Sequence, residues 1–393
     1  MLSHSYLLTC LIGLIFLFSS SIAAPFIDED LHHTTTLDSK CQEVKNPLDP
    51  NPLQYCPKGS VFVSQKHPAA GFKTISSALE ALPDDGSSRT ILIDEGIYHE
   101  KVVIGRASPT VFAGVTSESH NPDSNRVSIW QSSYVNQSDP HNTLHNCDAV
   151  VLGVGTESPI GSSDFKAYNI DFTQRQFFEG KEVTQYQLGP AAALCVVGSN
   201  ASFYSCGFSS YQDTIYVGSS SQAFFFKSIV KGMTDQLYGS GKAWFERVTL
   251  LSRACGGGIT AWRGDPADPL VGVYISNSEI KKSPDASTLK KMKGKCHLGR
   301  PWNVYSHSTY LSTKMSNIIA DAGFKVWGKK ESNFDPKLTH FEEWNSSGEG
   351  GNMATRDYAL EKALTEHDAK QITYRHVFGG EAPWIDEKPV KNW

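Results

Sequence analysis

The segment Phe203-Tyr204-Ser205-Cys206-Gly207-Phe208 has two similar segments further along the chain. They are Phe225-Phe226-Lys227-Ser228-Ile229-Val230 and, with one additional residue at its start, Trp244-Phe245-Glu246-Arg247-Val248-Thr249-Leu250. Cys206, Ser228 and Val248 fall into register, with steps of 22 and 20 residues. These periods suit one coil in a stack of parallel β-strands and are too short for a βαβ unit. The repeat predicts an all-β fold, a right-handed parallel β-helix with small or apolar residues facing inward.

Two aspartates share this period. Asp213 lies in Tyr211-Gln212-Asp213-Thr214-Ile215-Tyr216, and Asp235 lies 22 positions later in Gly232-Met233-Thr234-Asp235. Equivalent positions of neighbouring coils are roughly 4.8 Å apart. Two carboxylates that close do not both ionise at neutral pH, so one is expected to keep its proton. The pair would supply an acid and a nucleophile, although two solvated aspartates beside turns are the simpler interpretation of such a pair taken alone.

Four motifs give the chain a family resemblance over roughly residues 60 to 386. They are Gly96-Ile97-Tyr98-His99-Glu100, Tyr211-Gln212-Asp213-Thr214, Gly232 to Asp235 with Gly239, and Leu298-Gly299-Arg300-Pro301-Trp302. In this order the motifs resemble the signatures of pectin methylesterases (pectinesterases), carbohydrate esterases that de-esterify galacturonan. The resemblance implies a pectin-lyase-like solenoid that hydrolyses the methyl esters of homogalacturonan to free carboxylate and methanol.

The resemblance also implies roles for individual residues. It makes Asp235 the nucleophile and Asp213 the general acid and then base. Gln212 becomes an oxyanion donor, and Arg300 orients the nucleophile. Each role suits the chemistry, because attack on an ester creates an oxyanion that amide donors stabilise, and methoxide needs a proton to leave.

Three aromatic residues are candidates for binding the sugar rings. Trp302 follows Arg300 by two positions, and the family uses its tryptophan for stacking on a sugar. Tyr211 and Trp327 are weaker candidates for the same groove. An aromatic side chain is more often part of a hydrophobic core, so packing is the alternative for each of them.

One departure from the family pattern concerns catalysis. The family's glutamine before an Ala-Val-Ala-Leu run, a second oxyanion donor, is replaced here by Pro190 before Ala191. Loss of one such donor typically costs about 2.7–4 kcal/mol of transition-state stabilisation. Gln187 is a candidate substitute, and Gln236 replaces the aromatic residue that commonly follows the nucleophile. Two alternatives therefore stay open: a β-helix esterase for another ester, or a polyuronide-binding protein with weak or no catalysis.

The chain is expected to be one secreted domain behind an N-terminal leader. Residues 1–23, with an apolar run from Leu7 to Phe18, are typical of a signal peptide. We expect an extended arm over 24–60 and the pectinesterase-like β-helix over 61–393. Residues 72–82 are predicted to form a helix that caps the first coil, and a second helix is predicted over residues 358–372.

Composition agrees with an extracellular enzyme, in the cell wall or outside it. The net charge of −5 argues against nucleic-acid binding, and no later segment is apolar enough for a membrane span. We expect a monomer without metal or cofactor that acts on methyl-esterified pectin. Asn136, Asn200 and Asn345 begin potential N-glycosylation sequons.

Seven cysteines remain after the predicted leader, so at least one has no partner within the chain. Cys41 and Cys56 are positioned to staple the N-terminal arm. Cys206 lies in the inward ladder, and we expect it to be a buried free thiol.

Overall fold

The computed structural model describes residues 36–391 apart from 45, 140, 142, 157–160, 184–187, 288–290 and 329–332. The predicted signal peptide, the first part of the predicted arm and Gln187 lie outside the described residues. Those three predictions therefore stay predictions.

The described residues form 28 strands and four short α-helices. The strands are β1 (Val61–Val63), β2 (Arg89–Ile93), β3 (Gly96–His99), β4 (Val102–Ile104), β5 (Thr110–Gly114), β6 (Val127–Gln131), β7 (Val150–Val154), β8 (Phe165–Tyr168), β9 (Ile170–Gln174), β10 (Gln176–Phe178), β11 (Lys181–Val183), β12 (Ala192–Val196), β13 (Asn200–Tyr204), β14 (Gly207–Ser209), β15 (Ile215–Val217), β16 (Gln222–Phe226), β17 (Ile229–Gly232), β18 (Leu237–Gly239), β19 (Lys242–Glu246), β20 (Thr249–Ser252), β21 (Thr260–Trp262), β22 (Gly272–Ser276), β23 (Glu279–Lys282), β24 (Gly299–Pro301), β25 (His307–Leu311), β26 (Lys314–Met315), β27 (His340–Trp344) and β28 (Lys362–Ala363). The helices are α1 (Ile75–Glu80), α2 (Glu366–Gln371), α3 (Tyr374–Val377) and α4 (Glu387–Lys391).

Three parallel sheets run along the solenoid, and each middle coil contributes one strand to each sheet. Sheet A has 11 strands in the order β1-β2-β5-β8-β13-β16-β19-β22-β25-β27-β28. Sheet B has eight, β26-β23-β20-β17-β14-β9-β6-β3, and sheet C has seven, β24-β21-β18-β15-β12-β7-β4. The short antiparallel pair β10–β11 stands apart from them. The predicted parallel β-helix is confirmed.

The interior follows the predicted repeat. Phe203 pairs with Phe225 and Phe225 with Phe245 in sheet A, and all three are fully buried. Their rings stack, with centroids 4.9 Å and then 4.3 Å apart. Because identical rings at one level bury large apolar surfaces against each other, this column stabilises the stacking of successive coils.

A left-handed residue turns the chain from sheet A into sheet B in coil after coil. We call this position the A–B corner; it is the residue directly after the sheet A strand. Its positive-φ members are Asn169, Ser205, Lys227, Arg247, Asn277, Ser312 and Asn345, with φ between 47° and 55°. Left-handed backbone is costly for residues other than glycine, so its recurrence shows that the coil geometry requires it.

The predicted capping helix is present but shorter than expected. Helix α1 begins after Thr74, whose side chain accepts a hydrogen bond from the Ser77 amide. The Glu100 carboxylate accepts hydrogen bonds from the Ile75 and Ser76 amides, at 3.0 and 2.9 Å. The glutamate of the first motif therefore joins the end of an early coil to the cap above it.

The predicted helix over Tyr358–Ile372 is wrong in its first half. Lys362–Ala363 instead add a short strand to the edge of sheet A, and Ala363 is exposed. Glu361 is held inside, with its carboxylate 3.7 Å from the Arg356 Nε. Burial and the charge of Glu343 raise the pKa of Glu361 to about 9, so Glu361 is buried as a neutral carboxyl group. The strand and this buried side chain keep the segment extended until Thr365 caps α2. The apolar spacing of the segment did not reveal that a carboxyl side chain would be buried.

The described part of the arm and the C-terminal segment both pack on the outer face of sheet A. Leu37 and Cys41 join Tyr168, Phe224 and Trp244 in one apolar cluster with α3 and the residues before α4. The Tyr168 hydroxyl donates to Asp386 at 2.8 Å, and the Ser202 hydroxyl donates to the Trp384 carbonyl at 2.9 Å. The arm and the C-terminal segment therefore cover the outer face of sheet A. In the described part of the chain, no helix is long and apolar enough to cross a membrane.

The cysteines confirm one predicted pair and add two. Cys41–Cys56 is a disulfide as predicted, and Cys206 is free and buried. Cys147–Cys195 and Cys255–Cys296 were not predicted, because sequence alone does not give disulfide connectivity.

Candidate active site

The two aspartates occupy the next corner of the coil, between sheets B and C, which we call the B–C corner. Asp213 lies between β14 and β15, and Asp235 lies between β17 and β18. Both are left-handed, with φ of 64° and 48°. Ile215 pairs with Leu237, and Gln212 bridges to Thr234. The aspartates therefore stand in register on adjacent coils, as the period predicted.

Asp235 is held by a bidentate ion pair. The Arg300 guanidinium donates from Nε to Asp235 Oδ1 at 2.9 Å and from Nη2 to Oδ2. Arg300 lies on β24 and pairs with Ala261 of β21, the strand that follows β18 in sheet C. Asp235 is only 4% exposed, so this charge-assisted contact lies in a largely dry environment, where it is strongest. The bidentate contact fixes the orientation of the Asp235 carboxylate.

A run of glycines makes room for this ion pair. A Cβ on Gly257 would lie 2.5 Å from the Arg300 Nε and Cζ atoms. The Gly257 amide donates to the Thr234 hydroxyl at 2.6 Å, and the Asp235 amide donates to the Gly258 carbonyl at 2.7 Å. Gly256-Gly257-Gly258 were not predicted as site residues. Three consecutive glycines one coil beyond Asp235 could have indicated a close approach of another group to the backbone.

Asp213 is the carboxyl group that keeps its proton. Burial, followed by the charge of Asp235, raises the pKa of Asp213 to about 8. Hydrogen bonds from the Asn146 and Gln212 side chains and the charge of Arg300 oppose this rise without cancelling it. At neutral pH the site therefore contains one protonated and one ion-paired carboxyl group, as the like-charge argument predicted.

Asn146 is a site residue that the sequence analysis missed. Its side-chain Nδ2 donates to Asp213 Oδ2 at 2.6 Å, although the two residues are 67 positions apart. Asn146 lies in a turn before β7, outside the repeat and outside the four family motifs. Its position next to Cys147 was the only local signal.

Gln212 and Pro190 flank the pair as expected from the sequence. Gln212 is half-buried, and its amide is close enough to Asp213 to lower the pKa of that carboxyl group. Pro190 precedes β12, and its carbonyl accepts a hydrogen bond from the Val135 amide at 2.8 Å. Proline offers no donor of its own, so Pro190 brings none to the site.

The three predicted sugar-binding aromatics lie in different environments. Trp302 is 37% exposed and lies 6.2 Å, centroid to centroid, from Tyr238. Trp327 is covered on one face by the Arg300 guanidinium at 3.6 Å. Tyr211 is only 4% exposed and lies under Arg253 at 4.6 Å. This geometry favours Trp302 as a platform and a packing role for Tyr211.

Two further polar groups near the pair were not assigned from sequence. The Tyr238 hydroxyl is buried close to the Asn146 side chain. Burial and the charge of Asp213 raise the pKa of Tyr238 well above 10, and the interaction with the Asn146 side chain opposes part of this rise. Lys325 donates to the Gly256 carbonyl at 2.9 Å, and burial and the charge of Arg300 lower its pKa. Among the described residues, no cluster of histidine, cysteine and carboxylate side chains is arranged to hold a metal ion.

The fold and the site together define a class of protein. A parallel β-helix that presents one protonated and one ion-paired aspartate at a corner of its coils carries the elements of a carboxylate-based hydrolase. A family model described as Pectinesterase matches residues 149–381. The chain belongs to the pectinesterase family and is an esterase of that type.

Individual relatives agree with this assignment. Probable pectinesterase A of Neosartorya fischeri is 28% identical over 288 residues, which cover 73% of this chain and 79% of that protein. Probable pectinesterase A of Aspergillus niger is 28% identical over 315 residues, 80% of this chain and 85% of that protein. Among solved structures, the pectin methylesterase from Aspergillus niger has the same fold, with a TM-score of 0.68 and 24% identity over 84% of this chain and 97% of that one. The pectin methylesterase from carrot gives a TM-score of 0.66 and 25% identity, over 81% and 93% of the two chains.

Proposed function

We propose that this pectinesterase hydrolyses the methyl esters of homogalacturonan with Asp235 as nucleophile and Asp213 as acid and base. The different surroundings of the two aspartates support this assignment most strongly. Asp235 is paired with Arg300 through two hydrogen bonds, whereas the pKa of Asp213 is raised to about 8. When the nucleophile is a carboxylate, ester hydrolysis also requires a proton donor beside it, because methoxide is a poor leaving group.

The first step forms an acyl-enzyme. An Asp235 oxygen attacks the ester carbonyl carbon, and the amide of Gln212 donates to the oxyanion that develops. The tetrahedral intermediate collapses when Asp213 gives its proton to the methoxide oxygen, so methanol leaves. An anhydride between Asp235 and the galacturonate carboxyl group remains.

The second step returns the enzyme to its starting state. Asp213, now ionised, takes a proton from a water molecule that attacks the anhydride carbonyl. The anhydride opens to the galacturonate carboxylic acid and the Asp235 carboxylate, and Asp213 is protonated again. Arg300 stabilises Asp235 as a leaving group, because its bidentate contact favours the ionised carboxylate.

The polymer is proposed to lie along sheet C beside Trp302. Trp302 keeps part of its ring exposed beside Tyr238, and an aromatic face suits the apolar face of a sugar ring. A related pectin methylesterase was solved in complex with a hexasaccharide, which favours an oligosaccharide-sized groove here. Trp327 contributes by holding Arg300 in place rather than by stacking on sugar.

We also propose an extracellular site of action. Three disulfides among the described residues favour an oxidising compartment, in agreement with the predicted signal peptide. The proposed partner is methyl-esterified pectin, and we expect the enzyme to act as a monomer without a cofactor.

Methanol release from highly esterified pectin tests the proposal. We expect release by the parent enzyme and at least a thousandfold less by the Asp235→Asn variant. Asparagine tolerates left-handed backbone, so the variant should keep its fold by circular dichroism. Release from simple methyl esters but not from pectin would favour another substrate. Equal release by parent and variant would exclude Asp235 as the nucleophile.

A further inference from the structure

Asn146 reaches the acid–base aspartate from two coils away. It precedes β7, Pro190 precedes β12, and Asp213 precedes β15, and these are three successive strands of sheet C. Two strand spacings amount to roughly 9.6 Å. The Asn146 amide nevertheless donates to Asp213 Oδ2 at 2.6 Å. The contact therefore passes over the coil that carries Pro190.

A disulfide fixes the turn that carries Asn146. Cys147, its direct neighbour, is bonded to Cys195 of β12, with the two Cα atoms 5.7 Å apart. The turn is also closed locally, because the His145 amide donates to the Asp148 carboxylate at 2.7 Å and the Asp148 amide donates to the His145 carbonyl at 2.9 Å. Asn146 is therefore held between a covalent bond to the middle coil and a capped turn.

We propose that Asn146 is a positioning residue for Asp213 and that the Cys147–Cys195 disulfide holds it in place. This inference rests on the proposed function. It assigns a role in the reaction to a residue outside the four family motifs.

A carboxamide suits both protonation states of its partner. Its NH2 group donates to Asp213 when that group is a carboxylate, as in the second step. The same NH2 group donates to Oδ2 when Asp213 is protonated on its other oxygen, as before the first step, and this leaves the acid proton free for the methoxide oxygen. Asn146 therefore restrains the Asp213 carboxyl group throughout the cycle without carrying a charge.

The pH profile of the Asn146→Leu variant tests this role. Leucine has a similar shape and cannot form the hydrogen bond, so we expect kcat/KM to fall about tenfold to a hundredfold. The charged and titratable groups that face Asp213 are Asp235, Arg300 and Tyr238, and none of them is changed. Because the lost bond favours the carboxylate, the alkaline limb of kcat/KM should move above the parent's limb near pH 8. A merely structural role predicts the opposite shift, since a displaced turn would admit water and lower the pKa of Asp213.

The disulfide is tested against another disulfide of the same chain. We expect Cys147→Ser/Cys195→Ser to lose activity about tenfold. The alkaline limb of its kcat/KM profile should move to higher pH, as in Asn146→Leu, because the contact between Asn146 and Asp213 is lost. Cys41→Ser/Cys56→Ser, which opens the bond in the arm, should keep the kinetics of the parent. Equal kinetics for both double variants would overturn the anchoring role.

These results are separable from failure of the proposed function. An active parent with unchanged rate and pH profile in Asn146→Leu overturns the role of Asn146 alone. An inactive parent overturns the proposed function. In that case, direct titration of Asp213 in parent and variant still tests the contact, and an unchanged pKa would refute it.

Discussion

The A–B corner and the B–C corner use the same backbone device for different ends. In both, a residue other than glycine adopts left-handed φ, and its amide donates to a carbonyl of the next coil. Ser205 does so to Phe226 at 2.9 Å in the A–B corner. Asp235 does so to Gly258 at 2.7 Å in the B–C corner. The coil geometry therefore accounts for the strain at the aspartates, and catalysis is not needed to explain it.

What differs is the surroundings of the side chain. At the A–B corner, Asn169 is buried but neutral; it donates to Asn125 and accepts from Gln42, each at 3.1 Å. At the B–C corner, Asp213 is buried next to a second carboxylate. Asn169 satisfies its polar groups with neutral partners, whereas Asp213 is buried beside a second carboxyl group. The two corners share a backbone conformation, and the active site lies at the corner where two carboxyl groups are buried side by side.

Replacing the buried aspartate of the B–C corner by asparagine, the residue found at Asn169 of the A–B corner, should have the largest effect. We expect Asp213→Asn to reduce methanol release by a factor of about a thousand or more, since no other group is placed to protonate methoxide. The same variant should be more stable than the parent. Its free energy of unfolding should rise by on the order of a few kcal/mol at pH 8, because an ionisable group that the fold keeps protonated is removed.

The sign of this effect depends on pH. The pKa of Asp213 is about 8 in the folded protein against an ordinary value of 3.8. Between these values the native state binds a proton that the unfolded state has released, so the contribution of Asp213 to stability falls as pH rises. The stability gain of Asp213→Asn should be small below pH 4 and largest above pH 8 in chemical denaturation. A gain that is independent of pH would contradict the assignment of the proton to Asp213.

The reciprocal exchange serves as the control. Asn169→Asp places a carboxylate in the A–B corner facing the side-chain oxygen of Asn125, where the asparagine donated a hydrogen bond. We expect this variant to be destabilised at neutral pH and to recover part of its stability in acid, when the new carboxyl group is protonated. A stabilised Asn169→Asp would show that the two corners do not differ in the proposed way.

Arg300→Lys should have the next largest effect. Lysine keeps the charge but loses the bidentate contact with Asp235 and the stacking on Trp327. We expect kcat to fall about tenfold to a hundredfold with little change in KM, because the nucleophile is misoriented while sugar binding is retained. Arg247→Lys, at the A–B corner, is the matched control and should keep both constants. A change confined to KM in Arg300→Lys would indicate that Arg300 binds substrate instead.

The sequence predicted the repeated strands and the residues in the family motifs. It missed contacts made by residues that lie outside the repeat and outside those motifs. The period of the Phe203 segment gave the register that places Asp213 opposite Asp235, since stacking of coils is a local property of spacing. The motif around Arg300 gave the ion pair through family resemblance. Both predictions depended on patterns that a single sequence contains.

Contacts made by residues outside the repeat and the motifs have no recognisable pattern in the sequence. Asn146 reaches Asp213 from a turn outside the repeat, and Cys147–Cys195 depends on a pairing that spacing does not determine. In the segment of the predicted second helix, Glu361 is buried and Lys362–Ala363 form a strand, so the helix begins only after Thr365. In each case the deciding partner is distant in sequence, so only the folded chain shows it.

The smallest predicted effect isolates the strain that the two corners share. Asn277 at the A–B corner has φ of 49° and donates to Glu246 at 2.8 Å. Asn277→Ala should lower the free energy of unfolding by about 1–2 kcal/mol, because alanine tolerates left-handed backbone poorly and the hydrogen bond is lost. Asn277→Gly loses the same bond without the Cβ penalty, so the difference between the two variants in chemical denaturation measures the strain. Both should keep the parent's kcat, since the strain belongs to the coil and the chemistry belongs to the carboxylates. A loss of activity that tracked this stability difference would show that the corners are mechanically coupled.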